Sequence, residues 1–183
     1  MTRDDAWALV NEYTKNPSLV KHMLAVEVAM CAYARKFGED EATWGTIGLL
    51  HDFDYERWSS RDDHPFRGAE ILRARGVDED WIQTILSHAD YSGVPRTSLR
   101  DKTLYAVDEL CGFLTACAYV RPDRKIATVE VDSVKKKLKQ KSFAAQVSRD
   151  DITRGAEALG IPLDEHIAFV RDAMTRIADS LGL

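Results

Sequence analysis

The sequence has few cysteines, no long apolar run and no excess of positive charge, and each deficit excludes a class of protein. Its three cysteines, Cys31, Cys111 and Cys117, are odd in number and lack metal-binding spacing, which favours a reducing compartment. No segment approaches the roughly 18 apolar residues of a membrane span, and the first residues do not resemble a signal peptide. We therefore expect a cytoplasmic protein with no membrane partner.

The balance of charge argues against a general nucleic-acid-binding protein. The chain carries 25 lysines and arginines against 30 acidic residues, a net charge of −5, whereas such proteins present a broad basic surface. The basic stretch VDSVKKKLKQK is expected to form an exposed helix face. With 183 residues, 45% of them hydrophobic, the sequence predicts a single globular domain over residues 1–183.

Helix signals occur along nearly the whole chain, and no sustained apolar/polar alternation indicates a sheet, so we predict an all-α helical bundle. Thr2 can cap a first short helix. Asn16 and Pro17 open a long second helix, which Gly38 closes, with an apolar stripe that includes Met23 and Met30. Further helices are predicted over residues 40–50, 64–75, 78–88, 98–121 and 131–141, from residue 148, and from 163 to the end.

The stretch LLHDFDYERW, residues 49–58, places His51 beside Asp52 at the end of the third predicted helix. His51 shares a face with Trp44 and Ile47, at helical steps of four and three, so we expect it to point inward. His88 occupies the same position relative to Ile85 in the fifth predicted helix. The dipeptide alone is weak evidence, because His-Asp pairs also arise by chance.

Other polar residues are predicted to point towards the same interior. His22 lies at the edge of the apolar stripe of the second helix, and Asp108 lies in the sixth between Leu104 and Cys111. A buried carboxylate is costly without a cation or several hydrogen-bond donors. Inward polar groups on four helices therefore favour one common partner, and imidazole with carboxylate is a usual ligand set for transition metals.

Each residue also has a simpler interpretation. A lone histidine such as His22 on an apolar face is more often a hydrogen-bonded core residue than a ligand. His64 could simply precede a helix, and Asp108 could bond to a tyrosine or tryptophan. Taken together these alternatives require five coincidences, so the metal hypothesis is preferred. His166 has no polar companions in the last helix, and we predict that it is structural or exposed.

The order and helical context of these residues resemble the HD-domain superfamily of metal-dependent phosphohydrolases. Its pattern is a histidine, a His-Asp pair and a distant aspartate on separate helices. The segments HPFRGAEIL and TILSHAD resemble those that supply two further histidines in a subset with a second metal. The resemblance covers about residues 17–120, with helices over 121–183 packing on that core. It implies two divalent ions (Mn, Fe, Co or Ni) and six ligands: His22, His51, Asp52, His64, His88 and Asp108.

The same resemblance implies the chemistry. Asp52 would bridge the two ions and is the predicted catalytic residue, and a metal-activated hydroxide would hydrolyse a small phosphate ester or nucleotide. Arg57 and Arg61 follow the His-Asp pair and are candidate substrate-binding residues, although both could be solvated. Hydrolysis of cyclic dinucleotides is not implied, because the chain reads SHADYSGVP without that branch's paired histidines, and Tyr55 stands where it tends to have lysine.

Two other functions remain open at this point. Some dinuclear proteins of the superfamily are di-iron oxygenases that cleave a C–P or C–C bond, and ligand identity does not separate them from hydrolases. A non-catalytic metal-binding module is the third possibility, against which the complete ligand set counts. Substrate, native metal, number of ions and oligomeric state are not readable from the sequence.

Overall fold

The structure, a computed structural model that describes residues 1–183, contains ten α-helices and no β-strand, as the all-α prediction requires. Two single 3₁₀ turns, Asp90–Ser92 and Ile126–Thr128, interrupt the connections. None of the helices combines the length and apolar content needed to cross a bilayer. The helices are α1 (Arg3–Tyr13), α2 (Pro17–Phe37), α3 (Glu41–Leu50), α4 (Phe66–Ala74), α5 (Glu79–Ser87), α6 (Leu99–Tyr119), α7 (Val131–Leu138), α8 (Arg149–Leu159), α9 (Leu163–Thr175) and α10 (Ala178–Leu181).

Side-chain caps fix the starts of five of the ten α-helices, α1, α2, α3, α6 and α8. Thr2 and Ser98 each form a full capping box, and Asn16 accepts a hydrogen bond from the Ser18 amide ahead of α2. Gly38 ends α2 with φ of 75°, a left-handed conformation that glycine adopts without steric cost. Local sequence therefore determines where these helices begin and end.

Several boundaries differ from the prediction. α7 ends at Leu138 instead of residue 141. α4 begins at Phe66 instead of residue 64, because residues 60–65 form turns before it. The last predicted helix is divided into α9 and α10, since Ile177 leaves helical geometry with φ of −122°. Leu181 nevertheless reaches the core and is only 2% exposed.

The core is built around α2, which packs chiefly against α3 and also against α6 and α9. Met23 and Met30 of its predicted stripe are fully buried. α3 approaches α2 closely at Gly48, where a Cβ atom would lie 2.9 Å from the Cγ of Met30 and 3.1 Å from the carbonyl oxygen of Val26. The absent side chain thus permits the close packing that brings the end of α3 next to α2.

The C-terminal helices pack on the same core. α8 lies against α6, and α9 contacts both α2 and α6. His166 of α9 is fully buried, with Nε2 donating to the carbonyl oxygen of Ala106 at 2.9 Å and Nδ1 lying 2.6 Å from the Tyr33 hydroxyl. The prediction of a structural role for His166 is confirmed, and its two hydrogen bonds connect three helices.

Candidate metal centre

All six predicted ligands lie together at one end of the bundle, although they come from five parts of the chain. Two are on long helices, and the others sit where a short helix begins or ends, so that backbone geometry points them inward. They form two clusters within each of which the ligand atoms lie within 4.8 Å of one another. The members are His22, His51 and Asp108 in the first cluster and Asp52, His64 and His88 in the second.

The first cluster is centred on an oxygen of Asp108. Its Oδ1 lies 2.9 Å from the Nε2 of His22 and 3.4 Å from the Nε2 of His51. The Oδ2 of Asp52 faces the same imidazoles, at 3.8 Å from His22 and 3.4 Å from His51. Two nitrogens and two oxygens from separate segments therefore surround one point.

The second cluster uses the other oxygen of Asp52. Its Oδ1 lies 3.3 Å from the Nε2 of His64 and 3.5 Å from the Nε2 of His88. The two Nε2 atoms are themselves 3.3 Å apart. One carboxylate thus presents each of its oxygens to a different pair of imidazoles, which is the geometry of a bridging ligand.

The outer nitrogens of three imidazoles are anchored by acceptors, and this fixes their tautomers. The Nδ1 of His51 donates to the carbonyl oxygen of Gly48 at 2.8 Å, and that of His88 donates to the carbonyl of Ile85 at 2.5 Å. The Nδ1 of His64 lies 2.8 Å from a carboxylate oxygen of Asp54. With the proton on Nδ1, each neutral ring turns a bare Nε2 towards the cluster, as metal-binding histidines do.

Asp54 is a residue in contact with the second cluster that the sequence reasoning missed. It is buried, and it contacts both His64 and the amide of Gly68, whose N–H donates to its Oδ2 at 2.8 Å. A Cβ atom at Gly68 would lie 2.9 Å from the carboxylate, so only glycine leaves room for this contact. The signal was present in the quoted stretch, because Asp54 follows the His-Asp pair by two residues, but its inward direction depends on the turn that follows α3.

The residues fit divalent ions. The Nε2 of His51 is buried and has no hydrogen-bond partner in the chain, although three polar atoms of neighbouring ligands surround it. The bare Nε2 atoms of His64 and His88 face one another at 3.3 Å, an unfavourable approach of two lone pairs unless a proton or cation lies between them. Imidazole nitrogens with carboxylate oxygens are the donor set of manganese, iron, cobalt and nickel sites.

The electrostatics of the clusters favour added positive charge. Burial opposes protonation of His51, yet the carboxylates of Asp52 and Asp108 outweigh it and raise the pKa of His51 well above its ordinary value. Burial likewise opposes the charged form of His64, but hydrogen bonds to Asp52 and Asp54 raise its pKa to about 9. Without metal the centre therefore holds protons where a cation would otherwise sit.

A cavity of about 720 Å³ opens onto both clusters. Arg61 lines it, with its guanidinium 5.3 Å from the centre of the Tyr91 ring. Arg57 does not line it, because its guanidinium donates to the Glu12 carbonyl oxygen at 2.6 Å and lies over the ring of Tyr13. Of the two predicted substrate-binding arginines, the structure brings only Arg61 to the clusters.

Further residues of the cavity wall were not singled out in the sequence. Tyr55 and Tyr91 stand at its open side, 39% and 41% exposed, and Glu109 follows the ligand Asp108 on α6. Arg154 is bound to Asp90 at 2.9 Å and also to Asp151. Arg154 comes from a distant segment, so no local pattern in the sequence identifies it as a neighbour of the ligands.

Comparison with known proteins agrees with the geometry. The family model of the HD domain matches residues 19–112, a segment that covers half of the chain and begins and ends just outside the first and last ligands, His22 and Asp108. No curated protein and no solved structure matches the sequence. HD domains bind divalent metals, and most members are metal-dependent phosphohydrolases. The chain belongs to the HD-domain superfamily.

Proposed function

We propose that the protein is a metal-dependent phosphohydrolase that acts on a small phosphate ester or nucleotide. The observation that carries the proposal is the position of Asp52, whose two oxygens face separate histidine clusters on the wall of one cavity. Two-metal sites that hydrolyse phosphate esters hold their ions about 3.5 to 4 Å apart, and a carboxylate shared by the two clusters could hold such a pair.

The assignment of ligands follows the distances. His22, His51, Asp52 and Asp108 would hold one ion, and Asp52, His64 and His88 the other. When bound, the ions supply Lewis acidity, which lowers the pKa of water and neutralises phosphoryl oxygens. Asp54 keeps the imidazole of His64 in its orientation, and the Gly48 carbonyl does the same for His51.

Arg61 is the residue best placed to bind the phosphoryl group. Two arginines line the cavity, and Arg154 is already paired with Asp90 and Asp151, whereas Arg61 forms no ion pair. An uncommitted guanidinium can donate two hydrogen bonds to one phosphate. We propose that Arg61 donates hydrogen bonds to the nonbridging phosphoryl oxygens of the substrate. These bonds would orient the phosphoryl group and partly neutralise its charge.

The cavity also limits the size of the substrate. Its volume of about 720 Å³ lies within the roughly 300 to 1,000 Å³ of small-molecule sites. The partly exposed rings of Tyr55 and Tyr91 offer contact area for the organic part of an ester at the open side. A small ester or a single nucleotide fits this description.

The proposal is tested with a panel of phosphomonoesters, nucleotides and phosphonates. Assays contain manganese or cobalt under strict anaerobiosis, and are repeated with ferrous iron in air. We expect phosphate release without oxygen, abolished in Asp52→Ala and retained in Asp132→Ala, a matched change of an exposed aspartate on α7. Turnover only with iron and oxygen would assign the protein to the oxygenases, and no turnover would favour the non-catalytic module.

A further inference from the structure

A second, smaller cavity of about 250 Å³ is lined by His22 of the first cluster. His22 and Gly112 line both cavities, so the two spaces meet at the first predicted ligand. Leu181 closes one side of the smaller cavity. Its polar lining comes from two helices, with Ser18, Lys21 and His22 on α2 and Thr115 and Tyr119 on α6.

The smaller cavity is positively charged. No carboxylate side chain lines it, in a protein whose net charge is −5. Lys21 is partly buried, and its ammonium forms neither an ion pair nor a hydrogen bond within the chain. The ammonium lies beside Gly182, the C-cap of α10, where a Cβ atom would be 2.8 Å from it. A partly buried cation without a counter-ion favours an anionic ligand.

His22, which lines both cavities, has one ring nitrogen without a hydrogen-bond partner in the chain. In the other three cluster histidines Nδ1 is anchored by a carbonyl or carboxylate oxygen, whereas the Nδ1 of His22 has no partner in the chain. The Nε2 of His22 is directed to Asp108. Metal-binding histidines almost always donate the other N–H to a carboxylate, carbonyl or water, and losing that partner typically weakens metal binding 10-fold to 100-fold.

We infer that the smaller cavity binds a small oxyanion. The ammonium of Lys21 holds this anion, and the anion accepts a hydrogen bond from the Nδ1–H of His22. One ligand satisfies both the unpaired cation and the unpaired donor. The hydroxyls of Ser18 and Tyr119 form no hydrogen bond within the chain and can donate to the same anion. The hydroxyl of Thr115 already donates to the Cys111 carbonyl at 2.9 Å and serves as a wall.

This inference does not depend on hydrolysis, because anion binding is measured without turnover. Chelator-treated, desalted protein is titrated calorimetrically with orthophosphate, sulfate and acetate, which separates tetrahedral oxyanions from carboxylates. We expect a site whose affinity falls about tenfold or more in Lys21→Met, as for loss of a charged hydrogen-bonding partner. Arg61→Met removes the unpaired cation of the main cavity and should leave this affinity unchanged.

Tyr119→Phe is a second variant, to be used if Lys21→Met does not fold. It removes only a hydroxyl and should weaken anion binding severalfold. Absence of anion binding, or equal binding by the wild type and both cavity variants, would overturn the inference. Loss of binding in Arg61→Met alone would place the anion in the main cavity and would also overturn it.

The contact with His22 has its own readout. Cobalt affinity is measured by competition with a chromophoric chelator, in the presence and absence of sulfate. Sulfate itself binds cobalt only weakly, so it does not compete with the protein for the metal. We expect sulfate to raise the cobalt affinity of the wild type about tenfold and to have no effect on Lys21→Met. An unchanged cobalt affinity in sulfate-bound wild type would disprove the hydrogen bond to His22.

Discussion

Asp52 differs from the histidines around it because it belongs to both clusters. Asp52→Ala should therefore lose both ions, whereas His64→Ala or His88→Ala should lower the metal content towards one ion per chain, since each contacts only the second cluster. Metal analysis of the purified variants checks this expectation. Equal metal contents in all three variants and the parent would rule out the dinuclear arrangement.

Asp54 acts through His64 and gives a second prediction at the scale of single residues. Asp54→Asn keeps the shape of the side chain but removes the charge that holds the Nδ1–H of His64, so the affinity for the second ion should fall about 10-fold to 100-fold. Titration with cobalt measures both ions separately. Asp62→Asn, the same change at an exposed neighbour, should leave both affinities unchanged, and a loss there equal to that of Asp54→Asn would contradict the assignment.

The residues that the sequence identified and those it missed differ in a physical way. The ligands on helices could be predicted because helical periodicity directs them to the buried face, as for His88 behind Ile85 and Trp81. Asp54 lies in the turn after α3, where no periodicity applies and only the fold of the turn decides its direction. Arg57 follows the same turn, and its contact with Glu12 of α1 joins segments 45 residues apart, which a local pattern does not reveal.

At the scale of helices, the close approach of α3 to α2 depends on Gly48. Gly48→Ala places a methyl group against Met30 and the Val26 backbone, and we expect a net loss of about 1 to 2 kcal/mol in the free energy of unfolding. Gly112→Ala is the matched control on α6, because its Cβ would meet only a Val147 methyl at 4.0 Å. The control should be neutral or more stable by up to about 1 kcal/mol, since alanine favours helix.

Chemical denaturation of both glycine variants in the metal-free state provides the measurement. A larger loss in Gly112→Ala than in Gly48→Ala would contradict the packing described for α2 and α3.

Helix boundaries themselves were well predicted where caps exist, as at Ser98, because capping is a local interaction. The division of α9 from α10 at Ile177 was not predicted from the sequence, because the apolar stripe continues in register across the break.

At the scale of the whole molecule, His166 links α9 to α2 and α6 and should make stability depend on pH. Burial lowers the pKa of His166, and the nearby charge of Lys36 lowers it further, against the opposing hydrogen bond to Ala106. Because the folded pKa lies below the unfolded value of about 6.5, this contribution is complete above pH 6.5 and is lost as the pH falls through the folded pKa.

Unfolding of metal-free wild type and His166→Gln at pH 7.5 and 5.5 tests this dependence. Glutamine can still accept from Tyr33 and donate to Ala106, but it does not titrate. We expect the wild type to lose more stability between the two pH values than the variant, by at most about 1.4 kcal/mol per unit of pKa shift. Identical losses would show that His166 does not contribute to the acid sensitivity.

The ligands of the first cluster are far apart in sequence, and this has a consequence for biosynthesis. His22 and Asp108, which lie 2.9 Å apart in the fold, are separated by 86 residues of chain. During translation at about 5 to 20 residues per second, several seconds pass between the synthesis of these two residues. A nascent chain therefore cannot complete the first cluster until Asp108 has left the ribosome, whereas the ligands of the second cluster, Asp52, His64 and His88, are all made before it.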